Sequence, residues 1–183
     1  MLKKLKNHFL ALRAQKALRN NATTRAIPPY GRSKNIGLLF NSNYEELEAR
    51  SINYLYRRLR EGNKNVKALT YFPRERSNPF DFKFDFFTDK DLTLVGRIKS
   101  DAVNMFVNTE FDFLYCIDQR AFVPFEVILA QSKAKFRVGI YQEQKPDFLE
   151  LMVKPLQDQD LTAIIDQMLA YTKRISESES TGK

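Results

Sequence analysis

The sequence predicts an α/β protein: a single Rossmann-like domain with a mostly parallel sheet and helices on both faces, preceded by a basic N-terminal helix. Three observations carry this expectation. Short, continuous apolar runs such as "IGLLF" at 36–40 read as strands buried on both faces. Between such runs lie segments with apolar residues at helical spacing, and a strand–helix–strand unit is nearly always a right-handed crossover between parallel strands. The basic charge is confined to one end. Residues 1–44 hold nine Lys and Arg and no acid, whereas from Glu45 onward 21 basic residues face 22 acidic ones.

The elements follow in chain order. Residues 1–20 form the basic helix, with Leu2, Leu5, Phe9 and Leu12 at helical spacing and cations on the flanks. Residues 21–35, with two adjacent prolines and a glycine, read as a linker. After the strand at 36–40, Ser42 and Glu45 have capping-box spacing, and Leu47, Ser51, Leu55 and Leu59, with Ile52 and Tyr56 alongside, give a helix one buried face that ends at Gly62. "VKALTYF" at 66–72 is a second strand, stopped by Pro73. "FDFKFDFF" at 80–87 alternates Phe80, Phe82, Phe84 and Phe86 with charge, the period of a half-exposed strand. Residues 101–109 read as a short helix with Val103, Phe106 and Val107 inward, 111–117 as a strand, 121–131 as a helix, 136–140 and 147–153 as strands. A last helix starts near Asp158 or Asp160 and shows Leu161, Ile164, Ile165, Met168, Leu169 and Ile175 at helical spacing. The Rossmann-like domain thus spans 36–175, and the serine- and glutamate-rich residues 176–183 are expected to be a disordered tail.

Several function classes have no components here. A chain of 183 residues buries roughly two-thirds of its unfolded surface without a disulfide or metal. One cysteine, Cys116, and one histidine, His8, supply neither a structural zinc site nor a Cys–His catalytic pair, and no metal or cofactor is expected. Cys116, among Phe113, Leu114, Tyr115 and Ile117, reads as a small buried hydrophobe. No run approaches a membrane span. The basic start has no long apolar core before Arg13, Lys16 and Arg19, so it is a poor signal peptide and the expected location is the cytoplasm. Neither G-x-G-x-x-G nor G-x-x-x-x-G-K-[ST] occurs, and six glycines in all leave little for a backbone phosphate cradle.

The stretch "FDFLYCIDQRAFVPFEVILAQSKAKFRVGIY", 111–141, is a strand closing on Asp118, an apolar helix and a second strand. It resembles the corresponding segment in the N-terminal domain of heptosyltransferase-type glycosyltransferases. That resemblance implies a nucleotide-sugar site, but those enzymes place a Gly-Asp pair after the first strand where this chain reads Asn41, Ser42, Asn43, and they use a second domain. The whole chain, including "SKAKFRVG", more closely resembles an uncharacterised family of small Bacteroidota proteins, which implies no activity.

Ligands of such sheets bind beyond the carboxyl ends of the strands, where the strand order reverses. The residues expected there are Asn41 and Ser42 after the first strand and Asp118, Gln119 and Arg120 after the fourth. Ser42 is equally explained as a helix cap, and Asp118 as a cap or as a partner of Arg120. No residue is singled out as catalytic. The basic end offers Lys3, Lys4, Lys6, Arg13, Lys16 and Arg19 to an anionic partner by counterion release. The expected role is a non-enzymatic adaptor that uses this end on RNA, such as the ribosome, or on an anionic membrane face. The alternative is a degenerate or partner-complemented nucleotide-sugar-binding domain.

Overall fold

In the computed structural model, residues 2–42, 46–73, 84–143 and 148–181 are described. β1 (Asn35–Asn41), β2 (Asn65–Phe72), β3 (Asp85–Thr88), β4 (Phe113–Ile117), β5 (Phe136–Ile140) and β6 (Leu151–Val153) form one sheet. Its order is β3-β2-β1-β4-β5-β6, and each neighbouring pair is parallel. The expected Rossmann-like α/β architecture is present. Its order is the doubly wound one of dinucleotide-binding sheets, with the reversal between β1 and β4.

Side-chain alternation along each strand divides the core in two. Ile36, Leu38 and Phe40 of β1 join Phe113, Tyr115, Ile117 and Val138 beneath α2 (Glu46–Glu61) and α5 (Leu161–Thr181). Leu39, Leu69, Leu114 and Cys116 face the other way, beneath α3 (Asp101–Asn108) and α4 (Val123–Gln131). α2 buries Ser51, Ile52, Leu55 and Leu59, the face its spacing predicts. Burial pushes the Cys116 thiol well above its ordinary value, in keeping with a core role. β3 is an edge strand: Phe84 lies edge-on to Phe40 and Tyr56, Phe86 is exposed beside Phe72, and Phe87 is buried on the opposite face. Phe80, Phe82 and the charges between them lie outside the described residues, as does Glu45 of the expected capping box. β6 covers only three residues of the strand expected at 147–153.

Three expectations about the ends of the chain change. α1 (Leu2–Asn20) packs on α4, and the face that docks is not the stripe read from its spacing. Leu10 and Ala14 are buried, with Ala17 and Leu18 against the same cluster, while Leu5, Phe9 and Leu12 face outward. A helix that is apolar on two opposite sides hides its docking face from a search for a single stripe.

The segment 21–34 has no helix or strand, as a linker would, yet it is strapped across the amino ends of the strands. Asn21 Nδ2 donates to the carbonyls of Ala130 and Ser132, the Arg25 guanidinium to those of Ser132 and Ala134, and the Ala26 amide to Lys135. Lys64 Nζ donates to the carbonyls of Tyr30 and Ser33 at 2.7 Å each.

The expected tail is also structured, because α5 continues through Thr181. Ser176 is buried, and its Oγ accepts from Tyr30 N at 2.6 Å and donates to the Pro28 carbonyl at 2.9 Å. A serine among polar residues gives no apolar signal, so its partner in the strap could not be read from the sequence.

Candidate functional site

The carboxyl ends of β1 and β2 and the turn from β4 into α4 enclose a cleft of about 650 Å3, within the usual size range of ligand pockets. Asn41 closes β1 on it, Tyr71 and Pro73 close β2, and Arg120 stands on the β4–α4 turn. α1 adds Lys6 and Asn7, and the 3-10 turn Asp89–Asp91 adds Asp89. The docked helix therefore forms one wall, and the basic end of the chain and the sheet's reversal point meet at one place.

Polar contacts fix this rim. Tyr71 Oη donates to Asp89 Oδ1 at 2.7 Å, and Lys6 Nζ donates to the Asp89 carbonyl at 3.3 Å. The Tyr71 ring packs on Phe122 at 4.3 Å between centroids. Burial, reinforced by the carboxylate of Asp89, pushes the Tyr71 phenol far above its ordinary value, so it stays a hydrogen-bond donor at physiological pH. The Thr88 side chain and amide bond to Asp91, which caps and holds the turn that carries Asp89.

The five residues expected at this edge separate. Asn41 and Arg120 line the cleft. Ser42 does not, because both its Oγ and its amide donate to the Tyr71 carbonyl. Gln119 is exposed and lines neither this cleft nor the cavity beneath. Asp118 is buried, and its carboxylate accepts from the amides of Arg120 at 3.0 Å and Phe122 at 2.7 Å. These bonds shape the turn and hold Ala121 at a φ of 54°, a left-handed conformation that costs a non-glycine residue about 1 kcal/mol. Asp118 thus bonds the Arg120 backbone, and it faces a separate cavity of about 30 Å3, room for a water or two.

Lys6, Asn7, Tyr71 and Asp89 were absent from the expected cleft. Tyr71 was within reach of the rule used, since it sits at the carboxyl end of a strand beside the reversal point. The other three reach the cleft only through the docking of α1 and the fold of the 3-10 turn, which no local pattern reports. Of the six basic residues expected to meet an anionic partner, Lys6 alone among those with described side chains lines the cleft. Lys4, Lys16 and Arg19 are exposed, Arg13 is half-buried, and the side chain of Lys3 lies outside the described residues.

Among the described residues, no three His, Cys, Asp or Glu side chains stand close enough to hold a metal ion, and no helix is long and apolar enough to cross a membrane.

Strand order and cleft together define an α/β domain of Rossmann-like order with an open pocket at its reversal point, built without a glycine-rich loop. The chain belongs to a family of unknown function, DUF6913, whose sequence profile matches residues 6–175. No curated protein and no solved structure matches it.

Proposed function

We propose that the protein is a non-enzymatic cytoplasmic binding protein whose carboxyl-end cleft takes a small ligand bearing a phosphate or carboxylate group. The supporting observation is that Lys6 and Arg120, from α1 and from the β4–α4 turn, line one cleft with Asn41 and the Tyr71 hydroxyl. Two cations on separate elements suit an anionic group, and polar side chains stand where a glycine-rich loop would otherwise supply backbone amides. The single carboxylate among the described lining residues, Asp89, already accepts a hydrogen bond from the Tyr71 hydroxyl, which supports binding over proton transfer. Nucleotide sugars are the narrow form of this ligand class, supported by the glycosyltransferase resemblance of residues 111–141.

Thermal denaturation of the full chain with millimolar inorganic phosphate, nucleotides or nucleotide sugars tests it. A ligand at about a hundred times its dissociation constant stabilises by about 2.7 kcal/mol. That shift should disappear in Arg120→Ala. If no member of the panel moves the wild-type transition, the ligand assignment fails.

A further inference from the structure

We infer that the outward face of α1, with the tip of the neighbouring turn 93–97, is a docking surface for an anionic membrane. At about 100° per residue, Leu5, Phe9 and Leu12 lie on the side of the helix opposite the docked Leu10, Ala14, Ala17 and Leu18. The turn 93–97 is closed by bonds from the Thr93 amide to the Arg97 carbonyl and from the Gly96 amide to the Thr93 carbonyl. Gly96 sits against the backbone of Phe9 and Leu10, so Leu94 and Val95 stand beside the helix. These five large apolar side chains are 39–61 % exposed. Scattered exposed hydrophobes need no explanation, but Leu5, Phe9 and Leu12 share one helix face, and Val95 and Leu94, the latter also lining the cleft, are exposed on the turn beside the helix; together they mark a contact surface.

Charge selects the occupant. Lys4, Lys16 and Arg19 are exposed around the stripe, Arg13 is on its flank, and no acid precedes Glu45. A second copy of the chain would bring the same cations face to face across a two-fold contact. Nucleic acid would satisfy the cations and leave the apolar side chains in water. An anionic bilayer takes both, with the apolar side chains at the acyl boundary and the cations among the headgroups. Lys16 falls in line with the stripe near its C-terminal end, where its long stem can lie on the interface with the ammonium in the headgroup layer. Leu94 and Val95 add exposed apolar side chains on the turn next to the helix.

The inference does not depend on a ligand in the cleft, and sedimentation of the full chain with vesicles tests it. Vesicles of phosphatidylcholine with about one-third phosphatidylserine should bind the protein, and vesicles of phosphatidylcholine alone should bind it at least about tenfold more weakly. Phe9→Glu and Leu94→Glu should each weaken binding about tenfold or more without changing the circular dichroism spectrum. Leu94 is outside the helix, so its result does not depend on α1 folding. Failure of the wild type to bind anionic vesicles overturns the proposal, as does binding undiminished in both variants. Salt-sensitive binding to single-stranded RNA in the absence of vesicle binding would assign the cations to nucleic acid instead.

Discussion

At the amino ends of β1, β4 and β5 the sheet is covered by the strap 21–34, whose polar groups are tied to backbone carbonyls and buried side chains. At the carboxyl ends of β1 and β2 the same sheet opens onto a cleft of about 650 Å3 with charged side chains at its edge. Polar residues do different work at the two ends. Those of the amino end satisfy buried partners, so removing one leaves an unmet hydrogen bond or charge. At the carboxyl end Asn41 and Tyr71 are buried while Arg120 is exposed, so a change at Arg120 can act on a ligand at less cost to the fold. Substitutions of similar chemistry should therefore have unequal consequences for stability.

The largest effect belongs to the amino end. The Arg137 guanidinium is 3 % exposed and donates from Nε and Nη2 to Glu150 at 3.0 and 2.6 Å, and from Nη1 to the Leu129 carbonyl at 3.0 Å. Beside it, burial and the charge of Arg137 pull Arg25 down to about 10. Glu150→Ala leaves two neighbouring guanidiniums without their carboxylate and should cost about 3–5 kcal/mol in urea denaturation. Replacing Arg137 and Glu150 together by methionine should recover part of that loss. A single-variant cost below about 1 kcal/mol would show that water reaches Arg137 and that this end is not sealed.

One tight contact lies at the other end. Gly96 has a φ of 73°, and a Cβ there would stand 2.5 Å from the Phe9 carbonyl oxygen, a backbone atom that moves only with α1. Gly96→Ala should therefore cost about 2 kcal/mol, from the left-handed backbone and the displaced helix together. Amide exchange should rise in α1 before the strands. Uniform exchange across the chain would mean that α1 is not a separable wall of the cleft.

What could be read in advance follows the same division. The strands, α2 and α3 were legible because apolar periodicity reports burial, and the order of elements constrained the sheet to Rossmann-like architecture. The all-parallel order with its reversal between β1 and β4 fits that reading, although a single sequence does not carry strand order. The strap was illegible because Asn21, Arg25 and Ser176 act on carbonyls about a hundred or more residues away, and a polar side chain in a loop looks the same whether or not it has such a partner. The cleft was half legible: the switch-point rule found Asn41 and Arg120, whereas Asp118 and Ser42 proved to shape the surrounding turns.

Intermediate effects come from the two clasps of the strap. Ser176→Ala removes the acceptor of the Tyr30 amide and the donor to Pro28, and should cost about 1–2 kcal/mol. Asp112 joins the strap's end to the sheet, accepting from the amides of Lys34 and Asn35 and from Lys135 Nζ at 2.8 Å. Burial alone would raise its pKa, but these bonds outweigh it and hold the carboxyl below the usual range. A depressed carboxyl contributes stability that is present above its unfolded value and is lost as pH falls through the folded one. Asp112→Asn should cost about 1 kcal/mol at neutral pH, with the difference closing below about pH 4. A constant difference across that range would remove the ionised carboxylate from the account.

The smallest effect on stability should come from Arg120→Ala, and that smallness gives the comparison its sharpest form. The Arg120 amide is held by Asp118, an interaction that an alanine amide makes equally well, while the side chain lies exposed at the cleft. Its removal should change the unfolding free energy by less than about 0.5 kcal/mol, in the range of ordinary surface substitutions. The same change should erase the thermal shift caused by a phosphate-bearing ligand, because it deletes one of the two cations that line the cleft among the described residues. Measured together, the two readouts separate support of the fold from contact with a ligand. A loss of stability comparable to that of Ser176→Ala would place Arg120 among the structural polar groups, and the two ends of the sheet would then no longer differ in kind.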